Sequence, residues 1–117
     1  MNGNDIVIVS ATRTAIGKFG GQFATTSAIE LGTAVAKSAI QKAKLSPDQI
    51  DTVIFGNVLQ AGLGQNPARQ VGLQAGLLHS STALTVNEVC GSGLKAIILA
   101  AQSLRLGDAK IVLAGGM

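Results

Sequence analysis

Short apolar segments alternate along this chain with segments of helical periodicity, and this alternation restricts the possible folds more than any other feature. Apolar runs predict strands at 6–9, 52–59, 83–86 and 111–114. The run at 6–9 is continuously β-branched, which is typical of a strand covered on both faces. Strands that alternate with helices favour a mostly parallel sheet with helices packed on it. The sequence therefore predicts a layered α/β fold.

The helices are predicted from their start and stop signals. Ser27 and Glu30 have the spacing of a capping box, in which each side chain accepts a hydrogen bond from the other residue's backbone. Asn66 before Pro67 is a typical helix start, and Gly107 is a typical helix end. The predicted helical segments are 27–44, a single turn at 46–49, 66–76 and 91–106, and the segment 10–26 is predicted to be a long loop.

The composition indicates a chain that packs against something else. Apolar residues make up 47% of the 117 residues and charged residues only 13%. Soluble domains usually carry charge on about a quarter of their residues. We therefore expect an apolar surface that packs against a partner subunit or against sequence beyond this chain.

Several classes of function receive no support from the sequence. The longest uninterrupted apolar runs are well below the ~20 residues needed to cross a bilayer, so no membrane span is predicted. Lys and Arg are scattered, the net charge is only +3, and Tyr and Trp are absent, so nucleic-acid binding is not predicted. The N-terminus lacks the basic and apolar regions of a signal peptide, which together with a single cysteine indicates a cytoplasmic chain.

Cys90 is the main candidate for chemistry. It falls between a predicted strand and a predicted helix, where the first-turn N–H groups favour a negatively charged sulfur. Gly91 and Gly93 remove side chains beside the sulfur, which allows a sharp turn and a close approach of a substrate carbonyl. The helix that follows Cys90, 91–106, is apolar on nearly all sides and is predicted to be buried. Spacing alone leaves open whether Cys90 is a nucleophile or a small buried residue.

Other polar residues are weaker candidates. His79 lies in a polar stretch and is predicted to be a solvated loop residue rather than a base. Arg13 and Arg69 are predicted to anchor loops or subunit contacts. The acidic residues have no metal-ligand spacing, so no metal site is predicted.

Four segments resemble landmarks of the thiolase family, in the family's order. NEVCGSGLK at 87–95 resembles the active-site cysteine segment, and GNVLQAGLGQNPARQ at 56–70 resembles the stretch that precedes it. RTAIG at 13–17 and AGGM at 114–117 also resemble thiolase segments. The resemblance covers nearly the whole chain. Within the family, the chain most resembles the acetyl-CoA acetyltransferase group.

The resemblance implies a fold and an incomplete chain. Residues 1–117 would form the N-terminal domain of a thiolase-like α-β-α fold, truncated, with the loop region and the C-terminal domain absent. Thiolases associate as homo-oligomers, dimers or tetramers, so a homo-oligomer is expected. The acyl substrate is a coenzyme A thioester, and no separate cofactor is implied.

The resemblance also implies an activity, the condensation of two acetyl-CoA to acetoacetyl-CoA and CoA or the reverse thiolysis. Cys90 would be the nucleophile that carries the acyl group, and its backbone N–H would be one donor of an oxyanion hole. In the family, the activating histidine, a second cysteine, the second oxyanion donor and most of the CoA surface lie in the C-terminal half.

Two alternatives remain open at this point. One is a thiolase of longer 3-ketoacyl-CoA substrates or a ketosynthase-like relative. The other is a catalytically inert chain that acts only in subunit association, because its only histidine is His79 and its only cysteine is Cys90.

Overall fold

Helices and strands alternate from residue 28 to residue 116. The computed structural model describes residues 3–117. The elements are α1 (Ala28–Lys42), a 3₁₀ turn (Pro47–Gln49), β1 (Thr52–Gly56), α2 (Pro67–Gln74), β2 (Thr82–Val86), α3 (Ser92–Leu106) and β3 (Val112–Gly116). This order confirms the predicted α/β class and all the predicted helical segments.

The three strands form a parallel sheet with β1 in the centre. The strand order is β2-β1-β3, and Thr52 is opposite Thr82 on one side and Val112 on the other. Parallel neighbours need a crossover connection, which α2 and α3 supply. The predicted parallel arrangement is therefore confirmed.

Side chains of β1 point alternately into two apolar clusters. Val53 and Phe55 are each 1% exposed and pack with α1 and α2. Ile54 points to the other face, where it packs with Ala96 and Ala100 of α3. A strand covered on both faces has a continuous apolar sequence, as β1 does. The layers are therefore α1 and α2, then the sheet, then α3.

The predicted capping box of α1 is present. The Ser27 hydroxyl accepts from the Glu30 N–H at 3.1 Å, and the Glu30 carboxylate accepts from the Ser27 N–H at 2.7 Å. The bond from the Ser27 backbone, followed by that of its side chain, lowers the pKa of Glu30 below its usual value. Local polar pairing thus determines where α1 begins.

The predicted strand at 6–9 is wrong. Residues 6–9 belong to no strand, and Ile8 and Val9 are 78% and 65% exposed. The segment that follows instead lies along α1, where the Ser10 hydroxyl donates to the Ala39 carbonyl at 2.7 Å. A β-branched run becomes a strand only where another strand offers its N–H and C=O groups. Among residues 3–117, no strand pairs with it.

The strand predicted at 52–59 is shorter than expected. β1 ends at Gly56, level with Val86 of β2 and Gly116 of β3. Beyond these residues the neighbouring strands have ended. Only the Asn57 N–H still bonds to β2, at the Val86 carbonyl, and Leu59 is 82% exposed.

The expectation that α3 is buried is also wrong for this chain. Leu94, Ile97 and Ile98 are 65%, 45% and 43% exposed. Only the face that contains Ala96 and Ala100 packs on the sheet. The apolar composition of α3 predicts cover on every side, but within the described part of the chain the sheet covers a single face.

The segment Val89–Leu106 is long and apolar enough to be counted as a possible membrane span, a feature that the sequence prediction missed. The helix α3 itself has 15 residues, so at 1.5 Å per residue it is about 22 Å long. The hydrocarbon core of a bilayer is thicker than this, at about 30 Å. Its packing through Ala96 and Ala100 is that of a helix layered on a sheet.

Candidate active site

Cys90 lies at the edge of the sheet where the parallel strands end. The chain leaves β2 at Val86 and enters α3 at Ser92, so Cys90 belongs to the connection between them. In α/β folds, ligands bind beyond the carboxyl ends of the strands, which is where this connection lies. The Cys90 thiol is free and exposed, so the alternative that Cys90 is a small buried residue does not hold in this chain.

The cysteine loop, residues 87–91, is closed by hydrogen bonds from both ends. At its start, the Asn87 side-chain oxygen accepts from the Val89 N–H at 2.9 Å. At its end, the Ser92 hydroxyl accepts from the Glu88 N–H at 2.8 Å and donates to the Val89 carbonyl at 2.6 Å. Ser92 is only 4% exposed. These bonds hold the backbone on both sides of Cys90 in one conformation.

The sharp turn of the cysteine loop is made by Val89. Val89 has φ of 52°, a left-handed conformation that is rare for a β-branched residue and costs of order 1–3 kcal/mol. Gly91 has φ of −87°, which any residue can adopt. The prediction that the glycines provide the turn is therefore wrong, and the strain lies one residue before the sulfur. Such strain persists only where the surrounding structure enforces it.

Backbone donors without partners lie on both sides of the sulfur. The Ser92 N–H donates to the Val89 carbonyl at 3.2 Å, and the Gly91 N–H to the Glu88 carbonyl at 3.1 Å. The N–H groups of Cys90, Gly93 and Leu94 have no acceptor among the described residues. Free donors at a helix start attract negative charge. A Cβ built on Gly93 would meet nothing within 4 Å, so space is open beside these donors.

The charged residue of the cysteine loop, Glu88, is paired with Lys95 of α3. Lys95 and Glu88 form an ion pair at 3.2 Å, with side chains 37% and 56% exposed. An exposed pair of this kind adds at most about 1 kcal/mol of stability.

Asn57, which the sequence analysis did not single out, joins the ends of all three strands. Its backbone N–H donates to the Val86 carbonyl at 2.9 Å, and its side-chain nitrogen donates to the Met117 carbonyl at 3.1 Å. Asn57 is 4% exposed, and its side-chain oxygen has no donor among the described residues. A buried acceptor without a partner is uncommon and marks a position where a donor is needed.

His79 lies at the opposite end of the sheet from Cys90. It precedes β2, whereas Cys90 follows β2. Five residues of strand at about 3.3 Å each place the two residues on the order of 15 Å apart. His79 is exposed, which agrees with its prediction as a solvated loop residue.

Arg69 anchors a loop, as predicted. Its guanidinium donates to the Ser81 carbonyl at 2.7 Å and to the His79 carbonyl at 2.9 Å. Arg13 is exposed and bonds locally to the Thr14 carbonyl at 3.3 Å. Neither residue lies in the cysteine loop. Within residues 3–117, no group of three His, Cys, Asp or Glu side chains has the arrangement of a metal site.

The chain matches the pattern of the "Thiolase, N-terminal domain" family over residues 6–117. It belongs to the thiolase family. It is 60% identical over 111 residues to the acetyl-CoA acetyltransferase of Escherichia coli, a match that covers 95% of this chain and 28% of that protein. It is 60% identical over 116 residues to the acetyl-CoA acetyltransferase of Allochromatium vinosum, covering 99% of this chain and 29% of that protein.

Similarity extends to an animal enzyme and to a solved thiolase structure. The chain is 54% identical over 112 residues to the cytosolic acetyl-CoA acetyltransferase of Mus musculus, covering 96% of this chain and 28% of that protein. It superposes on the Acat5 thiolase of Ascaris suum, solved in complex with coenzyme A, with a TM-score of 0.92 and 45% identity. That superposition covers 93% of this chain and 28% of the Ascaris chain. This thiolase-family chain thus spans under a third of the length of these relatives.

Proposed function

We propose that this chain is the part of an acetyl-CoA C-acetyltransferase that carries the acyl-accepting cysteine, Cys90. The observation that carries the proposal is the position of Cys90, which lies exposed at the carboxyl edge of a parallel sheet in a loop held by Ser92. The unpaired N–H of Cys90 supports a role in binding an oxyanion. The high identity to acetyl-CoA acetyltransferases favours acetyl-CoA over longer acyl chains.

The Cys90 sulfur attacks the carbonyl carbon of acetyl-CoA as a thiolate. A carbon–sulfur bond forms while the carbonyl π electrons move to oxygen, and the Cys90 N–H donates to that oxygen. Collapse of this intermediate breaks the bond to CoA, which leaves as a thiolate and takes up a proton. The enolate of a second acetyl-CoA then attacks the acetyl group, which releases acetoacetyl-CoA and returns the Cys90 thiolate. Thiolysis runs the same steps in reverse.

Groups outside the described cysteine loop are needed for turnover. His79 is too far from Cys90 to act as its base, and Glu88 is paired with Lys95. We therefore propose that residues 1–117 supply the N-terminal domain, and that the loop region and a C-terminal domain supply the base, the second cysteine and most of the CoA surface. The glycines beside the sulfur, Gly91 and Gly93, leave room for the acyl group.

The substrate, the oligomeric state and the cellular location follow from the same proposal. The acyl donor is a coenzyme A thioester, and no separate cofactor takes part. The active protein is a homo-oligomer in the cytoplasm. The Ascaris thiolase solved with coenzyme A supports the coenzyme A substrate, and the cytosolic mouse relative supports the location.

A chimera tests the proposed activity. In this chimera, the present chain replaces the matched segment of the Escherichia coli acetyl-CoA acetyltransferase. We expect it to cleave acetoacetyl-CoA in the presence of CoA, and Cys90→Ser to lower kcat by about a thousandfold or more. His79→Asn is the control and should leave kcat within about twofold. A chimera that keeps its activity with Cys90→Ser would contradict the proposal.

The inert alternative makes a different prediction for the 117 residues alone. Because His79 is remote and Cys90 is exposed, this chain by itself should show no thiolysis of acetoacetyl-CoA. Turnover by the isolated chain that disappears in Cys90→Ser would show that the 117 residues are sufficient. If both the chain and the chimera are inactive, a role in subunit association alone is favoured.

A further inference from the structure

Gly56 marks the closest approach between the sheet and the start of α3. A Cβ atom built on Gly56 would lie 2.5 Å from the Ser92 carbonyl carbon and 2.7 Å from the Gly93 nitrogen. Real Cβ atoms essentially never come within 3.0 Å of such neighbours. Both neighbours belong to the backbone, so a change of side-chain rotamer cannot make room. Any side chain at this position must push β1 and α3 apart.

The need for glycine at Gly56 is spatial rather than conformational. Gly56 ends β1 and is not among the residues with positive φ. Its backbone conformation therefore suits any residue. The absence of a side chain is what allows the backbone of β1 to touch the backbone of α3.

Ser92 connects this contact to Cys90. Its hydroxyl accepts from the Glu88 N–H and donates to the Val89 carbonyl, so it holds the residues immediately before the cysteine. The Ser92 N–H also donates to the Val89 carbonyl at 3.2 Å. Displacement of Ser92 therefore carries the Cys90 sulfur and N–H with it.

We propose that Gly56 is a positioning residue for Cys90, because its missing side chain sets the distance between the cysteine loop and the edge of the sheet. The inference rests on the proposed function, in which the Cys90 sulfur and N–H act on one carbonyl group. Ordinary contact begins at 3.4 Å, so a methyl group at Gly56 forces the start of α3 away by most of an ångström. A displacement of this size can lower a reaction rate by about a hundredfold.

Gly56→Ala in the chimera tests the inference, with Gly72→Ala as the matched control. A Cβ on Gly72 would lie 2.9 Å from the Val53 side chain, in the cluster on the opposite face of the sheet from α3. Both variants add one methyl group at a tight position, but only the first is next to Ser92. We expect Gly56→Ala to lower kcat by about 10- to 100-fold with KM within about threefold, and Gly72→Ala to keep kcat within about threefold.

A milder variant and a structure determination complete the test. A Cβ on Gly116 would meet the Gly93 Cα at 3.5 Å, an ordinary contact, so Gly116→Ala should keep kcat within about threefold. In crystals, the Cys90 Cα of Gly56→Ala should be displaced relative to the strands. This displacement is measurable even if the chimera proves inactive, which separates failure of this inference from failure of the proposed function.

Three results would overturn the inference. One is an unchanged kcat in a folded Gly56→Ala chimera, when the Cys90→Ser chimera is inactive. Another is a cysteine loop that has not moved in the Gly56→Ala crystal structure. The third is a Gly56→Ala protein that fails to fold while Gly72→Ala folds, because Gly56 would then be required for folding rather than for placing Cys90.

Discussion

At the scale of single residues, the cysteine loop combines backbone strain with hydrogen bonds that maintain it. Val89 adopts a left-handed conformation, and its N–H and carbonyl are both bonded, to Asn87 and to Ser92. The Val89 side chain is 64% exposed, so little burial offsets the strain. Core packing therefore does not compensate for the strain. The strained conformation instead determines the position of the next residue, Cys90.

Replacing Val89 with a residue that accepts positive φ should raise stability. Asn tolerates the left-handed region well, so we expect Val89→Asn to increase the free energy of unfolding by about 1 kcal/mol. Urea denaturation of the chimera measures the change. Val9→Asn is the control, since Val9 is equally exposed at 65% and is not among the residues with positive φ. A gain in the control, or a loss in Val89→Asn, would contradict this interpretation.

At the scale of elements, a single carboxylate joins the start of β1 to the start of β3. Asp51 accepts from the Lys110 N–H at 2.7 Å and from the Ile111 N–H at 3.0 Å. Its own backbone N–H donates to the Ile111 carbonyl at 3.0 Å. The bond from Lys110, followed by that from Ile111, lowers the pKa of Asp51 below its usual value.

This arrangement predicts a pH dependence of stability. A carboxyl whose pKa is lower in the folded state stabilises the fold above its unfolded pKa of about 3.9, and that stability is lost as the pH falls through the folded pKa. We expect the unchanged protein to be more stable than Asp51→Asn near pH 6 and to lose that advantage towards pH 2.5. Glu30 titrates in both proteins and so cancels in the difference. The free energy of unfolding of both proteins is measured as a function of pH. A difference between the two proteins that does not change with pH would contradict the prediction.

The elements that the sequence predicts correctly are those with local signals. The Ser27 capping box and the Asn66–Pro67 start depend on residues within one turn, so they can be recognised without a structure. The segment 6–9 has the composition of a strand, but pairing depends on distant parts of the chain, which no local pattern reports. The boundary of β1 at Gly56 is likewise determined by where β2 and β3 end.

The candidate site was predicted in part. Cys90 is identified by its position between a strand and a helix, together with the resemblance to thiolases. Gly56, Asn57 and Ser92 were missed as site residues because their roles depend on close contacts between segments far apart in sequence. A glycine and an asparagine directly after the apolar run 53–55 were the available signal, since residues at the end of a strand lie at the carboxyl edge of a parallel sheet. The strain at Val89 had no sequence signal.

At the scale of the whole molecule, the chain exposes a large apolar surface on α3. Leu94 and Ile98 lie one turn apart on the same side of that helix and are 65% and 43% exposed. Contiguous exposed apolar side chains usually mark an interface. This surface agrees with the composition, which predicts packing against a partner or against sequence beyond the chain.

The isolated chain should therefore associate as its concentration rises. The double variant Leu94→Lys and Ile98→Lys should shift association to higher concentration, because it places charge on the exposed face of α3. The control, Gln22→Lys with Gln41→Lys, adds the same charge at two exposed polar positions away from α3. Sedimentation velocity over a range of concentrations gives the comparison. Equal association of both double variants would show that α3 is not the contact.

The site at which acetyl-CoA acetylates the protein shows most directly whether Cys90 accepts the acyl group. The chimera is incubated with acetyl-CoA alone, quenched in acid, digested and analysed by mass spectrometry. We expect one acetyl group on the peptide that contains Cys90, removable by hydroxylamine as expected for a thioester and absent in Cys90→Ser. An active chimera whose acetyl group is found on another residue, with Cys90 unmodified, would contradict this expectation.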